Sequence, residues 1–254
     1  MLRAEDIRVT FGGVCAVDGV TLELAADELL GLVGPNGSGK TTFLNAVCGV
    51  VPAQGELTVD GRPVRLGRPR SAWEAGVARV FQAPQTFEDL ACLENVLLSS
   101  DDQRYRGIGG AWFNRPGMWR REKARWEAAM AALELVGLDR YASAKAELLT
   151  YGQRRLLELA RAVVGRPKVL LLDEPSAGLN DAETAELSDR LVAIRQQGVA
   201  VLVVDHKVDF LDVVCDRIVV LELGRVIAEG PPDRVWNDAR VMSAYLGVPA
   251  DAAG

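Results

Sequence analysis

The sequence predicts an α/β fold in which a buried parallel core sheet carries an antiparallel β subdomain and an α-helical subdomain. Three observations carry this reading. Continuous apolar runs, Leu29-Leu30-Gly31-Leu32-Val33, Val169-Leu170-Leu171-Leu172 and Val199-Ala200-Val201-Leu202-Val203-Val204, are separated by stretches of helical periodicity, as expected of strands buried on both faces. The first 33 residues mostly alternate apolar with polar, as half-exposed antiparallel strands do. Residues 83–148 are rich in Ala, Glu, Arg and Leu and read as mostly helical.

Taken in order, Ile7-Arg8-Val9-Thr10-Phe11 and Val20-Thr21-Leu22-Glu23-Leu24 are strands, with Gly12-Gly13 as a turn between them. Phe11 has two readings, an aromatic ring to stack on an adenine or a strand residue packed in the core. The run Leu29 to Val33 then leads into Gly34-Pro35-Asn36-Gly37-Ser38-Gly39-Lys40-Thr41-Thr42, which fits G-x-x-x-x-G-K-S/T, and Phe43 to Cys48 leads out as a helix. Strand, glycine-rich turn and helix are the context in which that spacing binds phosphate. Glycines let the backbone curl around an anion without Cβ clashes, and the helix points free N–H groups and its positive dipole end at it. Lys40 adds a mobile cation for the β- and γ-phosphates of a nucleotide, and the Thr41 hydroxyl is placed to ligate Mg²⁺.

Gly55-Glu56-Leu57-Thr58-Val59-Asp60-Gly61 reads as a strand entering a tight turn, and Ala78-Arg79-Val80-Phe81 as a short strand ended by Gln82. Residues 101–120 interrupt the helical segment with Gly107, Gly109, Gly110, Pro116 and Gly117 and read as a loop or arm. Trp112, Trp119 and Trp126 are seven apart, but Pro116-Gly117 breaks any helix between the first two, so only Trp119 and Trp126 are expected on one face. Seven Lys or Arg against one Glu in residues 104–125 leave three readings open: a solvated helix whose tryptophans pack on the domain, a contact with a partner or membrane surface, or stacking on single-stranded nucleic acid.

Leu148-Leu149-Thr150-Tyr151-Gly152-Gln153 precedes an amphipathic helix through Leu156, Leu159, Ala160, Val163 and Val164, ended by Gly165-Arg166-Pro167. The next buried strand closes on Asp173-Glu174-Pro175. An apolar strand ending in Asp complements a phosphate-binding loop, since the Asp holds Mg²⁺ indirectly opposite the Lys and Thr, while the following Glu can take a proton from an attacking water. Residues 182–196 read as a helix, and the strand opened by Gly198 ends at Asp205-His206. His206 is the only histidine, and it sits at a parallel strand tip, where such sheets bind ligands. Residues 218–229 read as a hairpin turning at Gly224, residues 233–246 as a final helix, and 248–254 as a flexible tail.

The 254 residues are 49% hydrophobic and 25% charged, an ordinary globular composition. A net charge of −6 argues against nucleic acid as a partner. The cysteines Cys15, Cys48, Cys92 and Cys215 have no metal-ligand spacing and suit a reducing, cytoplasmic setting. No apolar run reaches a membrane span, and no apolar segment after Met1 suggests a secretory leader.

Together and in this order, the motifs resemble the ATP-binding subunit of ABC transporters over nearly the whole chain. Gly34 to Thr42 resembles the Walker A loop, Val169 to Asp173 the Walker B strand, Glu174 the catalytic glutamate, Gln82 the Q-loop and His206 the switch histidine. Thr150-Tyr151-Gly152-Gln153 resembles the signature, Ser176-Ala177-Gly178-Leu179-Asn180 the D-loop, and Phe11 the A-loop aromatic. There are two departures: Tyr151 replaces a glycine of the usual L-S-G-G-Q, and Asn180 stands where Asp is usual. L-x-Y-G-Q, E-P-x-A-G-L-N, the arm at 101–125 and the ending Ala244-Tyr245-Leu246-Gly247 resemble the branch serving branched-chain amino acid, urea and amide importers.

The resemblance implies a P-loop NTPase (RecA-like) core, in one ATPase domain over 1–247. Core and β subdomain would take 1–85 and 149–247, and the helical subdomain with its arm 86–148. It further implies ATP and Mg²⁺ as cofactors, with Glu174, His206, Gln82 and Lys40 catalytic. Phe11, residues 34–42 (Gly34, Pro35, Asn36, Gly37, Ser38, Gly39, Lys40, Thr41 and Thr42), Thr150, Tyr151, Gly152 and Gln153 would bind nucleotide, and Thr41, Gln82 and Asp173 the metal. The implied partners are a second ABC ATPase subunit, membrane-spanning permease subunits and, indirectly, a solute-binding protein, at the inner face of the cell membrane. The alternatives are the ATPase of an exporter such as one for lipopolysaccharide, a non-transport ABC protein in DNA repair or on ribosomes, and a nucleotide switch without turnover.

Overall fold

The computed structural model describes residues 1–83, 85–100 and 115–246. The arm residues up to 114, with Trp112, and the tail at 248–254 lie outside them. The chain forms two compact units, one of residues 1–82 and 167 onward, the other of residues 83–166.

In the first unit, β1 (Leu2–Phe11), β2 (Val14–Leu24), β4 (Gln54–Val59) and β5 (Arg62–Pro63) make an antiparallel sheet in the order β2-β1-β4-β5. The alternation seen in the sequence becomes its two faces. Leu2, Ala4, Ile7, Val9, Leu22, Leu24, Leu57 and Val59 are buried, with charged neighbours outside. The second sheet contains β3 (Leu29–Val33), β6 (Val77–Val80), β7 (Val169–Asp173), β8 (Ala200–Val204), β9 (Arg217–Glu222) and β10 (Arg225–Gly230), in the order β10-β9-β3-β8-β7-β6. It is parallel except for the edge hairpin β9–β10. Every residue of β3, β7 and β8 is buried, which is why these strands read as unbroken apolar runs.

Between the sheets runs α1 (Lys40–Val47), whose Phe43, Leu44 and Val47 join Leu30, Leu32, Leu171 and Leu202 of one sheet to Ile7 and Leu24 of the other in a single apolar cluster. The helix that follows the phosphate-binding motif is therefore clamped from two sides. The expected Gly55–Gly61 and Ala78–Phe81 strands are β4 and β6. Two short helices had no strong signal, α2 (Pro69–Glu74) and, late in the chain, α7 (Val208–Val214).

The second unit holds α3 (Cys92–Ser99), α4 (Arg115–Leu135) and α5 (Tyr151–Val163). Fully buried Asn95 ties the preceding loop to α3, accepting from the Phe87 amide at 2.8 Å and donating to the Phe87, Leu90 and Ala91 carbonyls. Two expectations change here, and a third is kept while one of its open readings closes. The helical unit continues to Arg166 rather than 148, because α5 buries Leu156, Leu157, Leu159 and Ala160 and packs with α3 and α4. Pro116-Gly117 does not lie ahead of the helix: both residues fall within α4, whose described span is Arg115–Leu135. Trp119 and Trp126 do share a face, but at 76% and 48% exposure they do not pack on the domain.

Back in the first unit, α6 (Asp181–Gln196) matches the expected helix, whereas the final helix splits into α8 (Pro232–Trp236) and α9 (Ala239–Leu246). Asp238 lies in the break, accepting from the Arg240 amide at 2.8 Å and from its guanidinium, contacts that lower its carboxyl to about 2.

Candidate nucleotide site

The sheet order gathers the candidate residues. Residues 34–42 leave the carboxyl end of β3, Asp173 ends β7, and Asp205-His206 and Gln82 follow β8 and β6. All sit along one edge of one parallel sheet, the edge where open α/β sheets bind ligands.

The loop requires glycine at both ends. Gly34 has φ +146°, and a Cβ there would lie 2.0 Å from the Leu221 carbonyl oxygen; Gly39 has φ +104°, with the same atom 2.4 Å from the Ala16 oxygen. The loop is also pinned from outside, where Gly224 N–H donates to the Ser38 carbonyl at 2.9 Å and Gly34 N–H to Tyr245 Oη at 2.9 Å. The buried Lys40 Nζ donates to the Gly34 and Pro35 carbonyls at 2.7 and 3.0 Å, across the mouth of the loop. Burial lowers its pKa, against the pull of Glu174 and Asp173. Asn36 and Gly37 are exposed, while the Ser38 hydroxyl is buried with no hydrogen-bond partner among the described residues. Thr42 is half-buried at the start of α1.

Thr41 Oγ1 lies 3.5 Å from Asp173 Oδ1. A hydroxyl and a carboxylate converging beside a phosphate cradle form a hard-oxygen donor set that fits Mg²⁺, which keeps several waters and needs few protein ligands. Asp173 is not alone. Arg79 Nη2 donates to its Oδ2 at 2.7 Å, with the two side chains 5% and 6% exposed, and Arg79 Nη1 donates to Asn45 Oδ1 at 2.5 Å. Removing one member of such a buried pair typically costs about 3–5 kcal/mol. Burial pushes the adjacent Cys48 thiol up to about 11 while Arg79 pulls it down.

Glu174 follows with φ +50°, a left-handed conformation that costs a non-glycine residue about 1–3 kcal/mol and recurs at functional sites. Its N–H donates to the Val204 carbonyl at 2.7 Å, which holds the turn to the neighbouring strand. Its carboxylate lies between two predicted site residues, 3.2 Å from His206 Nε2 and hydrogen-bonded by the Gln82 amide. With His206 41% and Glu174 25% exposed, water reaches this group. Buried Asp205 sets the histidine's backbone. Its Oδ1 accepts from His206 N–H at 2.7 Å, Lys207 N–H at 3.0 Å and the Ser176 hydroxyl at 2.8 Å, and its Oδ2 from Ser176 N–H at 3.0 Å. Phe11 ends β1 at 48% exposure, so its ring is not a core residue and stays open for stacking.

The second unit carries Thr150 to Gln153 at the start of α5. Thr150 Oγ1 accepts from Gln153 N–H at 3.2 Å, and Gln153 Oε1 from Thr150 N–H at 3.0 Å, a capping box. Tyr151 is exposed and Gly152 buried. The same device explains Asn180, whose side chain caps α6 by accepting from Glu183 N–H at 3.0 Å, a role Asn fills as well as Asp.

Arg79, Asp205 and Tyr245 were not expected at the site. For Arg79 and Asp205 a signal existed: one charged residue inside or directly after a short apolar strand, which burial forces to find a partner. Tyr245 lies 211 residues from Gly34 and had no local signal as a contact of this loop.

The ABC transporter family model matches residues 17–177, and that of the branched-chain amino acid ATP-binding cassette transporter matches residues 225–251. The high-affinity branched-chain amino acid transport ATP-binding protein LivG of Salmonella typhimurium is 34% identical over 249 residues, 97% of this chain and 98% of that protein. Among solved structures, an ATP-binding cassette of an ABC transporter in its ADP conformation aligns with TM-score 0.83 and 28% identity over 97% of this chain and 98% of the other. A dimeric cassette in a post-hydrolysis state, bound to ADP and Pi, aligns with TM-score 0.72 and 25% identity over 91% and 99%.

Proposed function

Because the chain belongs to the ABC transporter family and is an ATPase subunit of it, we propose that it powers the import of branched-chain amino acids or related small polar solutes. The solute rests on the likeness to LivG and on the carboxyl-terminal match at 225–251. Among the described residues no helix is long and apolar enough to cross a membrane, and we assign the path for the solute to permease subunits. The chain docks on these from the inner face of the membrane, with a solute-binding protein on the far side. The exposed Trp119 and Trp126 of α4 are the surface we assign to the permease contact.

One observation carries the catalytic reading: the Glu174 carboxylate held by His206 and Gln82 at a strand tip beside the phosphate loop. Lys40 and the amides of residues 34–42 bind the phosphates, and Phe11 stacks on the adenine. Thr41, Asp173 and Gln82 would hold Mg²⁺, which would supply positive charge to neutralise the phosphates. Glu174 takes a proton from the attacking water, and His206 keeps that carboxylate oriented. Thr150 to Gln153 of a second cassette cap the γ-phosphate, the capping box leaving the Tyr151 and Gly152 N–H groups at the helix amino terminus to face the anion. Closure of two cassettes moves the permeases, and hydrolysis reopens them.

The test is reconstitution of the native complex in proteoliposomes, with ATP inside and labelled leucine, isoleucine or valine outside. Uptake that needs both ATP and this chain is expected. ATP hydrolysis that no branched-chain amino acid, urea or amide stimulates would overturn the solute assignment and leave the ATPase intact.

A further inference from the structure

We propose that Arg79 is a positioning residue for Asp173, holding the carboxylate so that one oxygen faces Thr41 and thereby setting how tightly nucleotide binding is coupled to a divalent cation. The proposal rests on the metal role given above to Thr41 and Asp173.

The geometry is specific. Arg79 lies on β6, next to β7, which ends in Asp173. Its Nη2 holds Asp173 Oδ2 at 2.7 Å, while Nη1 holds Asn45 Oδ1 at 2.5 Å. Asn45 belongs to α1, the helix that starts at Lys40. One guanidinium thus joins the helix behind the phosphate loop to the carboxylate facing that loop. With Oδ2 taken, the Asp173 oxygen left to the site is Oδ1, 3.5 Å from Thr41 Oγ1.

The chemistry asks for arginine. Its planar fork addresses two acceptors at fixed angles, and a lysine point charge has no such fork. A lone buried carboxylate would be free to rotate and would carry an uncompensated charge. Paired, it presents a single oriented acceptor. That suits a cation that dehydrates reluctantly and meets a carboxylate through its own water.

ATP titrations by calorimetry, in Mg²⁺ and in EDTA, separate the possibilities for wild type, Arg79→Gln and Arg79→Lys. Wild type should bind ATP more tightly with Mg²⁺. Arg79→Gln should lose about tenfold or more of that Mg²⁺-dependent gain, the usual scale for partners of metal ligands, with affinity in EDTA within about twofold. Arg79→Lys, which keeps the charge but loses the fork, should recover only part of the gain. Mn²⁺ in place of Mg²⁺ gives a second readout, a changed electron paramagnetic resonance spectrum of the bound ion in both variants. If Arg79→Gln does not fold, as judged by circular dichroism, Arg79→Lys carries the test. An unchanged Mg²⁺ gain and Mn²⁺ spectrum would overturn the proposal, as would equal losses with and without the metal. A wild-type chain that binds ATP equally well in EDTA would instead remove the metal role of Thr41 and Asp173 beneath it.

Discussion

His206 Nε2 stands 3.2 Å from Glu174 Oε1, and the Gln82 amide meets the other oxygen of the same carboxylate. Residues from three strand tips, 92 positions apart in the case of Gln82 and Glu174, converge on one group able to accept a proton. The first two predictions concern this group.

Glu174→Gln is nearly isosteric, so MgATP should still bind. The amide cannot take a proton, and turnover should fall by ~10²–10⁴, the range for a general base. Binding without hydrolysis should leave an ATP-dependent dimer, with itself or with a partner cassette. Phosphate release and light scattering check both parts. Hydrolysis at the wild-type rate would remove Glu174 from catalysis.

His206→Ala should slow turnover at least about tenfold, because the Glu174 carboxylate loses an orienting contact. MgATP affinity should stay within a few-fold, since the predicted phosphate contacts lie on residues 34–42. Single-turnover kinetics beside calorimetry separates these terms. Equal loss of affinity and rate would make His206 a binding residue instead.

Lys40→Ala should abolish tight MgATP binding, since the phosphates lose their main mobile cation. Calorimetry reads this directly, and an unchanged affinity would contradict the role of the loop.

Tyr245→Phe should cost about 0.5–1.5 kcal/mol of stability, the scale of one hydrogen bond, because the Gly34 amide loses its partner. Chemical denaturation measures the loss. A change within error would show that water replaces the hydroxyl at no cost.

Trp119→Ala with Trp126→Ala should leave nucleotide binding untouched and weaken association with the permease. Co-purification from membranes against calorimetry of the isolated chain tests it. Undiminished association would return these tryptophans to an ordinary exposed face.

Much of this architecture was legible because its signals are local. Unbroken apolar runs revealed β3, β7 and β8, alternation revealed β1 and β2, and the glycine spacing revealed the loop between β3 and α1. What stayed hidden depends on partners distant in sequence. Arg79 and Asp173 are 94 residues apart, so composition around either could not show the pair. The short α2 and α7 have few turns in which a periodicity could emerge. At α4 the Pro116-Gly117 pair, read as a break, lies within the described span of the helix. At the carboxyl end, Asp238 competes for neighbouring amides and interrupts an otherwise continuous helical pattern.

The parallel sheet also acts as a ruler. The phosphate loop, His206, Asp173 and Gln82 are borne by β3, β8, β7 and β6, four consecutive rungs of one ladder. The strands that carry them are spaced at multiples of about 4.8 Å, a length that backbone hydrogen bonding dictates and side-chain substitution cannot retune. Adjusting this chemistry is left to the turns beyond each rung. A residue inserted within β7 would carry Asp173 to the opposite face of the sheet, whereas lengthening the chain between Gln82 and β7 moves none of the four.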